Sequence, residues 1–276
     1  MLWIQLQGGL GNQMFQIMTT IACGIRQDRS YRFLESIQSG ITHRSSYWET
    51  LFKTLRPYVI PPHDIPIDYQ TYHETGFHYQ EIPSNATCIL LSGYFQSFHY
   101  FQEEWKHIRT LLSIDQRQKE IIQKYPMEYN QYISMHFRRG DYQYLQEYHP
   151  CLSIEYYQNA IHFLCEHQTL TRILYFCEKE DWCQVWKMIE ILSLQFPQLQ
   201  FISVSEDIQD WEQLLLMSSC RHHILANSTF SWWGAYLNHE KIDKIICYPT
   251  KWFGPALSHY DTKDLFPPEW HGIQVE

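Results

Sequence analysis

From residue 132 onward the chain alternates short apolar runs with longer amphipathic ones, and that rhythm admits few folds. The runs 132–137, 173–177, 199–204, 223–226 and 242–248 have the length and the β-branched or aromatic content of buried strands. Between them, 154–167, 181–195, 211–220 and 229–238 carry apolar residues at helical spacing. Tyr157, Ile161 and Leu164 form one stripe; Trp182, Val185, Trp186, Ile189 and Leu192 form another, with Asp181 as its candidate cap. Strands that are apolar along their whole length, each followed by a helix, predict a parallel sheet covered on both faces.

The first part of the chain repeats the theme less regularly. A strand at 2–6 runs into the turn Gly8-Gly9-Leu10-Gly11, and a helix at 12–26 follows with Met14, Ile17, Met18, Ile21 and Ile25 on one face. Further strands are expected at 31–34 and 89–95, and helices at 99–112 and 116–125. The Pro-rich stretch 56–85 reads as irregular. Pro126 and its polar neighbours suggest a boundary near residue 128, giving two α/β units, 1–128 and 129–276, with the final segment free to pack back on the first.

Composition removes several functions. Thirty acidic against 21 basic residues leave a net charge of −9, with no basic stripe for nucleic acid. There is no basic-then-apolar leader and no apolar run of 18 residues, so a cytoplasmic chain without a transmembrane segment is expected. The eight cysteines contain no C-x-x-C pair and read as buried thiols in a reducing compartment.

Two strand-to-helix junctions carry the chemistry. His136-Phe137-Arg138-Arg139-Gly140-Asp141 brings two guanidinium groups to the end of a strand, where open α/β sheets bind ligands. Arginine presents a planar fork of donors suited to phosphate, and Asp141 is placed to aim one of the two. The second junction, Asn227-Ser228-Thr229-Phe230-Ser231, gathers more side-chain oxygens than a helix cap needs, and a helix N-terminus favours an anion. Trp232 and Trp233 beyond it read as core. If both junctions lie on one sheet rim they suit a diphosphate. The chain has no Asp-x-Asp triplet to hold a metal ion, so the charge of a leaving diphosphate falls to Arg138. The Gly8–Gly11 turn lacks the spacing of the G-x-G-x-x-G fingerprint, since Met14 stands where the last glycine belongs.

Together, Gly8-Gly9-Leu10-Gly11-Asn12-Gln13-Met14-Phe15-Gln16, Gly93-Tyr94-Phe95-Gln96-Ser97, His136-Phe137-Arg138-Arg139-Gly140-Asp141-Tyr142 and Asn227-Ser228-Thr229-Phe230-Ser231-Trp232-Trp233-Gly234-Ala235 resemble the α-1,2-fucosyltransferase family. The resemblance implies a GT-B fold, two Rossmann-like domains with a cleft between them, the second binding GDP-β-L-fucose and the first shaping the acceptor side. It implies inverting transfer to the 2-hydroxyl of a galactose-terminated glycan, with no cofactor or metal. Position by position it assigns Arg138 to the β-phosphate, His136 to the nucleotide, Asn227, Ser228, Thr229, Phe230 and Ser231 to the diphosphate loop, and Asn12 to the donor. Arg138 and Asp141 are the catalytic candidates. Glu212 or Gln213 takes the place of an acidic residue expected at guanosine. The proton acceptor stays open between Asp141 and Glu147, the nearest carboxylates. Another GDP-sugar, another acceptor hydroxyl, and a sugar-nucleotide or glycan-binding protein without turnover remain alternatives, and the oligomeric state is open.

Overall fold

The computed structural model describes residues 1–35, 46–65, 68–169, 171–238 and 243–275. They divide into two compact units, Met1–Arg117 with Tyr260–Pro267, and Gln118–His259 with Pro268–Glu276.

In the first unit, β1 (Leu2–Gln5) leads to α1 (Leu10–Arg26), β2 (Tyr31–Leu34), β3 (Val59–Ile60), β4 (Gln70–His73), β5 (Ile89–Ser92) and α2 (Trp105–Leu111). The strands pair in the order β3-β2-β1-β5-β4, every described pair parallel. Helix α1 is buried almost all round: Met14, Phe15, Ile17, Met18 and Ile21 are inaccessible, and only its C-terminal end, at Ile25, reaches solvent. Each such side chain contributes about 1.5–3 kcal/mol of burial.

Helix α3 (Ile114–Lys124) spans the division, and the second unit continues with β6 (Tyr132–His136), α4 (Ile154–His167), β7 (Arg172–Phe176), α5 (Trp182–Gln195), β8 (Gln200–Ser203), α6 (Asp210–Ser219), β9 (His222–Ile224), α7 (Thr229–Tyr236), β10 (Ile246–Pro249) and β11 (His271–Ile273). This sheet runs β11-β10-β9-β6-β7-β8, again parallel throughout. Met135 and Phe137 pack against Tyr157 and Ile161 of α4 and Val185 and Leu192 of α5 in one core. Trp232 and Trp233 are fully buried, as expected, with Trp232 stacked on Tyr236 at 4.7 Å.

Several sequence expectations need correction. The division falls within α3, at Gln118, rather than near residue 128, because the later part of that helix bonds to the second unit: Gln118 bonds Ser218 at 2.7 Å and Lys124 bonds Glu212 at 2.6 Å. Only 260–267 of the final segment joins the first unit, where Asp264 accepts from the Tyr79 amide at 2.9 Å; the end of the chain returns as β11. The stretch 56–85 holds two strands, β3 and β4, the first too short and the second too polar to show a period; its residues 66–67 lie outside the described ones. The helix expected at 99–112 begins only at Trp105. The strand expected at 242–248 begins at Ile246, with Ile242 outside the described residues, and it is not the last. On α5 the buried stripe is Val185, Ile189 and Leu192, while Trp182 and Trp186 are exposed. Of the cysteines, all free, only Cys23, Cys220 and Cys247 are buried. Among the described residues no helix is long and apolar enough to cross a membrane.

Gly24 shows how tightly the first unit closes. A Cβ there would meet the Tyr31 ring at 2.7 Å and the Arg29 carbonyl at 2.9 Å. Gly→Ala inside a helix ordinarily stabilises. Here Gly24→Ala should instead destabilise by about 1–3 kcal/mol through overpacking, read as a lower urea midpoint.

Candidate active site

Counted from β6, the second sheet has the strand order 3-2-1-4-5-6 of a doubly wound nucleotide-binding sheet. Neighbouring strands β6 and β9 send their chains to opposite sides, which opens a crevice beyond their carboxyl ends. The two junctions singled out in the sequence follow these two strands. The structure brings them together: the His136 and Phe230 rings lie 5.4 Å apart, and the Tyr142 hydroxyl donates to the Asn227 carbonyl at 3.3 Å.

Arg138 is held from three sides. Its guanidinium pairs with Glu178, just beyond β7, and with Asp141 at 2.5 Å, and it lies over the Tyr142 ring with 4.9 Å to the centroid. Burial pushes the Tyr142 phenol up to about 12, so the ring under the cation stays neutral. Tyr142 is backed in turn by the stacked His149 ring at 4.9 Å. A guanidinium fixed in this way needs little reorganisation to meet developing charge. Glu178 was invisible in the sequence, where nothing marks the second residue after a strand as the partner of an arginine 40 positions earlier.

Arg139 has a different fate. Its side chain turns to α5, donating to Gln184 Oε1 at 2.8 Å, while its amide and that of Gly140 donate to the buried Asp181 carboxylate at 3.2 and 2.7 Å. Asp181 therefore does not cap α5 with its side chain; it anchors the turn that delivers Arg138. Gly140 takes φ +28, and a Cβ there would strike the Glu178 carboxylate. Asp141 faces Arg138, not Arg139, and Glu147 lies exposed on the loop beyond.

At the second junction Ser228 caps α7, accepting from the Phe230 amide at 3.3 Å. The Ser231 hydroxyl is inaccessible and donates to the Ala226 and Ser228 carbonyls, both at 3.2 Å, so it braces the turn. Thr229 and Phe230 are half-buried. Asn227 donates to the Pro150 carbonyl at 2.9 Å, leaving its Oδ1 buried without a partner, and His136 Nδ1 is in the same state. Native interiors rarely orphan such atoms. Two of them at one switch point are what a polar ligand would complete. Burial first, and then the Arg138 charge, hold the His136 pKa down at about 3.

Two assigned residues lie elsewhere. Asn12 belongs to the first unit, after β1, and accepts from Gln96 at 3.1 Å; Gly8, at φ +80, makes room for it. Here too the junction after β1 meets the one after β5 at a change of strand direction. The carboxylate of Glu212 is committed to Lys124 at 2.6 Å and Tyr125 at 3.1 Å, and the Gln213 amide to the Ile208 carbonyl at 2.8 Å. Among the described residues no group of three or more His, Cys, Asp or Glu is placed to hold a metal ion.

The fold is that of the crystal structure of POFUT1 in complex with GDP, with a TM-score of 0.51 over 90% of this chain and 97% of that one at 11% identity. It is the GT-B fold of a glycosyltransferase. The chain belongs to glycosyl transferase family 11, whose profile matches residues 1–274. It is 30% identical to the O-antigen biosynthesis glycosyltransferase WbnK of Escherichia coli over 63% of this chain and 60% of that protein. It is 26% identical to the alpha-1,2-colitosyltransferase of E. coli over 98% of both. It is 20% identical to the galactoside alpha-(1,2)-fucosyltransferase 1 of Saimiri boliviensis boliviensis over 98% of this chain and 74% of that enzyme.

The state of His136 is open to measurement. Its folded pKa lies below the ordinary 6.5, so the stability tied to its neutral ring is complete above about 6.5 and is lost as pH falls toward 3. The ring resonances of His136 should stay flat from pH 8 to pH 5 by NMR, while exposed imidazoles titrate.

Proposed function

We propose that the chain moves L-fucose from GDP-β-L-fucose to the 2-hydroxyl of a terminal galactose, with inversion and without a metal ion. The observation that carries this reading is Arg138, aimed by Glu178 and Asp141 at the β6–β9 switch point beside the unpartnered His136 Nδ1 and Asn227 Oδ1. The motif resemblance and the named α-1,2-transferases among the relatives support the sugar and the linkage.

In this mechanism the bond between fucosyl C1 and the β-phosphate oxygen breaks, a bond from C1 to the acceptor oxygen forms on the opposite face, and the acceptor hydroxyl gives up its proton. Arg138 stabilises the charge that builds on the β-phosphate. The N-terminus of α7, capped by Ser228, adds backbone dipoles to the same anion. Neutral His136 serves as a hydrogen-bonding partner rather than a charge. Asp141 and Glu178 keep the fork of Arg138 in one orientation, which makes them positioning residues. Guanine recognition through Glu212 would use a carboxylate that already accepts from Lys124 and Tyr125.

A second reading, transfer of colitose instead of fucose, is favoured by the relative that matches across 98% of both chains. Colitose is fucose without its 3-hydroxyl, so the same phosphate machinery would serve either sugar.

Arg138→Ala should lower turnover by ~10²–10³ with an unchanged far-UV circular dichroism spectrum. Arg138→Lys should recover little, because an ammonium lacks the planar fork. Incubation with a β-galactoside and either GDP-fucose or GDP-colitose, in the presence of EDTA, should yield an α-1,2 product identified by NMR. Absence of product from both donors, or loss of product on chelation, would overturn the corresponding part of the proposal.

A further inference from the structure

In the first unit a carboxylate that the mechanism above does not use stands at the end of β4. Glu74 accepts from the amides of Tyr94 at 2.7 Å and Phe95 at 2.9 Å, both through Oε2. Its other oxygen, Oε1, is buried without a partner, as is the Tyr72 hydroxyl two residues earlier on the same face of the strand. The loop it grips follows β5 and carries Gly93-Tyr94-Phe95-Gln96-Ser97, one of the motifs noted in the sequence.

Three features show that this loop is shaped around Glu74. A Cβ on Gly93 would run into the Glu74 side chain, meeting its Oε2 at 2.6 Å. Phe95 takes φ +55, a left-handed conformation that a bulky residue adopts only when its surroundings hold it. Its inaccessible ring is clasped by Tyr72, stacked at 6.4 Å, and by Tyr100, edge-on at 5.5 Å. The next residue, the buried Gln96, donates to Asn12 at 3.1 Å. The chain of contact thus runs from the Glu74 carboxylate through two backbone amides to Gln96 and Asn12.

We propose that Glu74 is a positioning residue for transfer: as the carboxylate it clamps the loop at 93–97 and thereby sets Gln96 and Asn12 for the reacting partners. The inference rests on the transferase reading above but adds a residue and a function for it. Charge-assisted hydrogen bonds are roughly twice as strong as neutral ones, so the clamp is tight when Glu74 is ionised and slack when it is protonated. Burial pushes its pKa up to about 7, against the pull of the Phe95 and Tyr94 amides. The switch therefore falls in the neutral range. The phenols and the thiol around it are raised away from that range. The phenols of Tyr72 and Tyr100 are raised above their ordinary value by burial and then by Glu74 itself, and the Cys23 thiol is raised by burial to about 11. The nearby imidazoles are His73, adjacent in the strand, and His78, hydrogen-bonded to Gln80 at 3.1 Å.

The test has one readout independent of turnover and one that depends on it. Hydrogen exchange at the Tyr94 and Phe95 amides, corrected for intrinsic rates, should show protection rising as pH passes upward through about 7. In Glu74→Gln, which keeps an oxygen acceptor without the charge, protection should be flat. In transfer assays kcat/KM for the acceptor should drop from pH 8 to pH 6 in the wild type, by at most about tenfold for a single ionisation near 7. Glu74→Gln should lose that limb and raise KM across the range while keeping kcat within a few-fold. His73→Gln and His78→Gln should keep the limb. Unchanged exchange and pH profiles in Glu74→Gln would overturn the proposal. So would loss of kcat at every pH with KM unaltered, since Glu74 would then take the acceptor proton itself. If wild type shows the exchange transition but no fucose transfer, the transferase reading falls while the clamp stands.

Discussion

Parallel pairing is the constraint on which the rest of this structure depends. A parallel pair must be joined by a crossover, and here helices such as α4, α5 and α6 provide it in the second unit. All carboxyl ends of a sheet then share one rim. Where the strand order turns, at β6–β9 and at β1–β5, neighbouring rim loops diverge and leave polar backbone and side chains without secondary-structure partners. The motifs of the chain lie at those two places, where open α/β sheets leave a crevice beyond the strand ends.

Once the rim is formed, carboxylates decide how it is shaped. Asp181 ties down the Arg139 and Gly140 amides, Glu178 and Asp141 orient Arg138, and Glu74 holds the Tyr94 and Phe95 amides. Each converts a flexible strand exit into a fixed turn. Of these only Asp181 is fully buried; Glu178 and Asp141 act from the surface of the turn. The same logic separates the two adjacent arginines. Arg138 lies over Tyr142 among acceptors that aim it, whereas Arg139 packs along α5 toward Gln184 and Met188.

Much of this was legible in the sequence where local physics suffices. The regular strands and helices after residue 132 are found within a few residues of their expected bounds, because apolar periodicity over a full element is hard to mistake. The junctions at 136–141 and 227–231 were recognisable from residue chemistry alone. The edge strands β3 and β4 were not, since short or polar strands depend on a neighbour for their definition. Trp182 and Trp186 fitted a helical stripe yet lie outside, because period specifies a face only to within its width. That the Ser231 hydroxyl braces its own turn was not legible, because nothing in the residue type specifies the carbonyls it meets.

By itself, then, the amino-acid order determined the α/β alternation and the two polar strand ends, because each follows from residues close together in the chain. Tertiary structure alone decided the strand order, the limit of each unit, and the partners Glu178, Asp181 and Glu74. Those partners lie tens of residues from the groups they hold, and only folding sets their distances. A carboxylate's charge is written in its side chain; the dry surroundings that push Glu74 toward neutral pH, and the amides it grips, exist only after the sheet has closed around it.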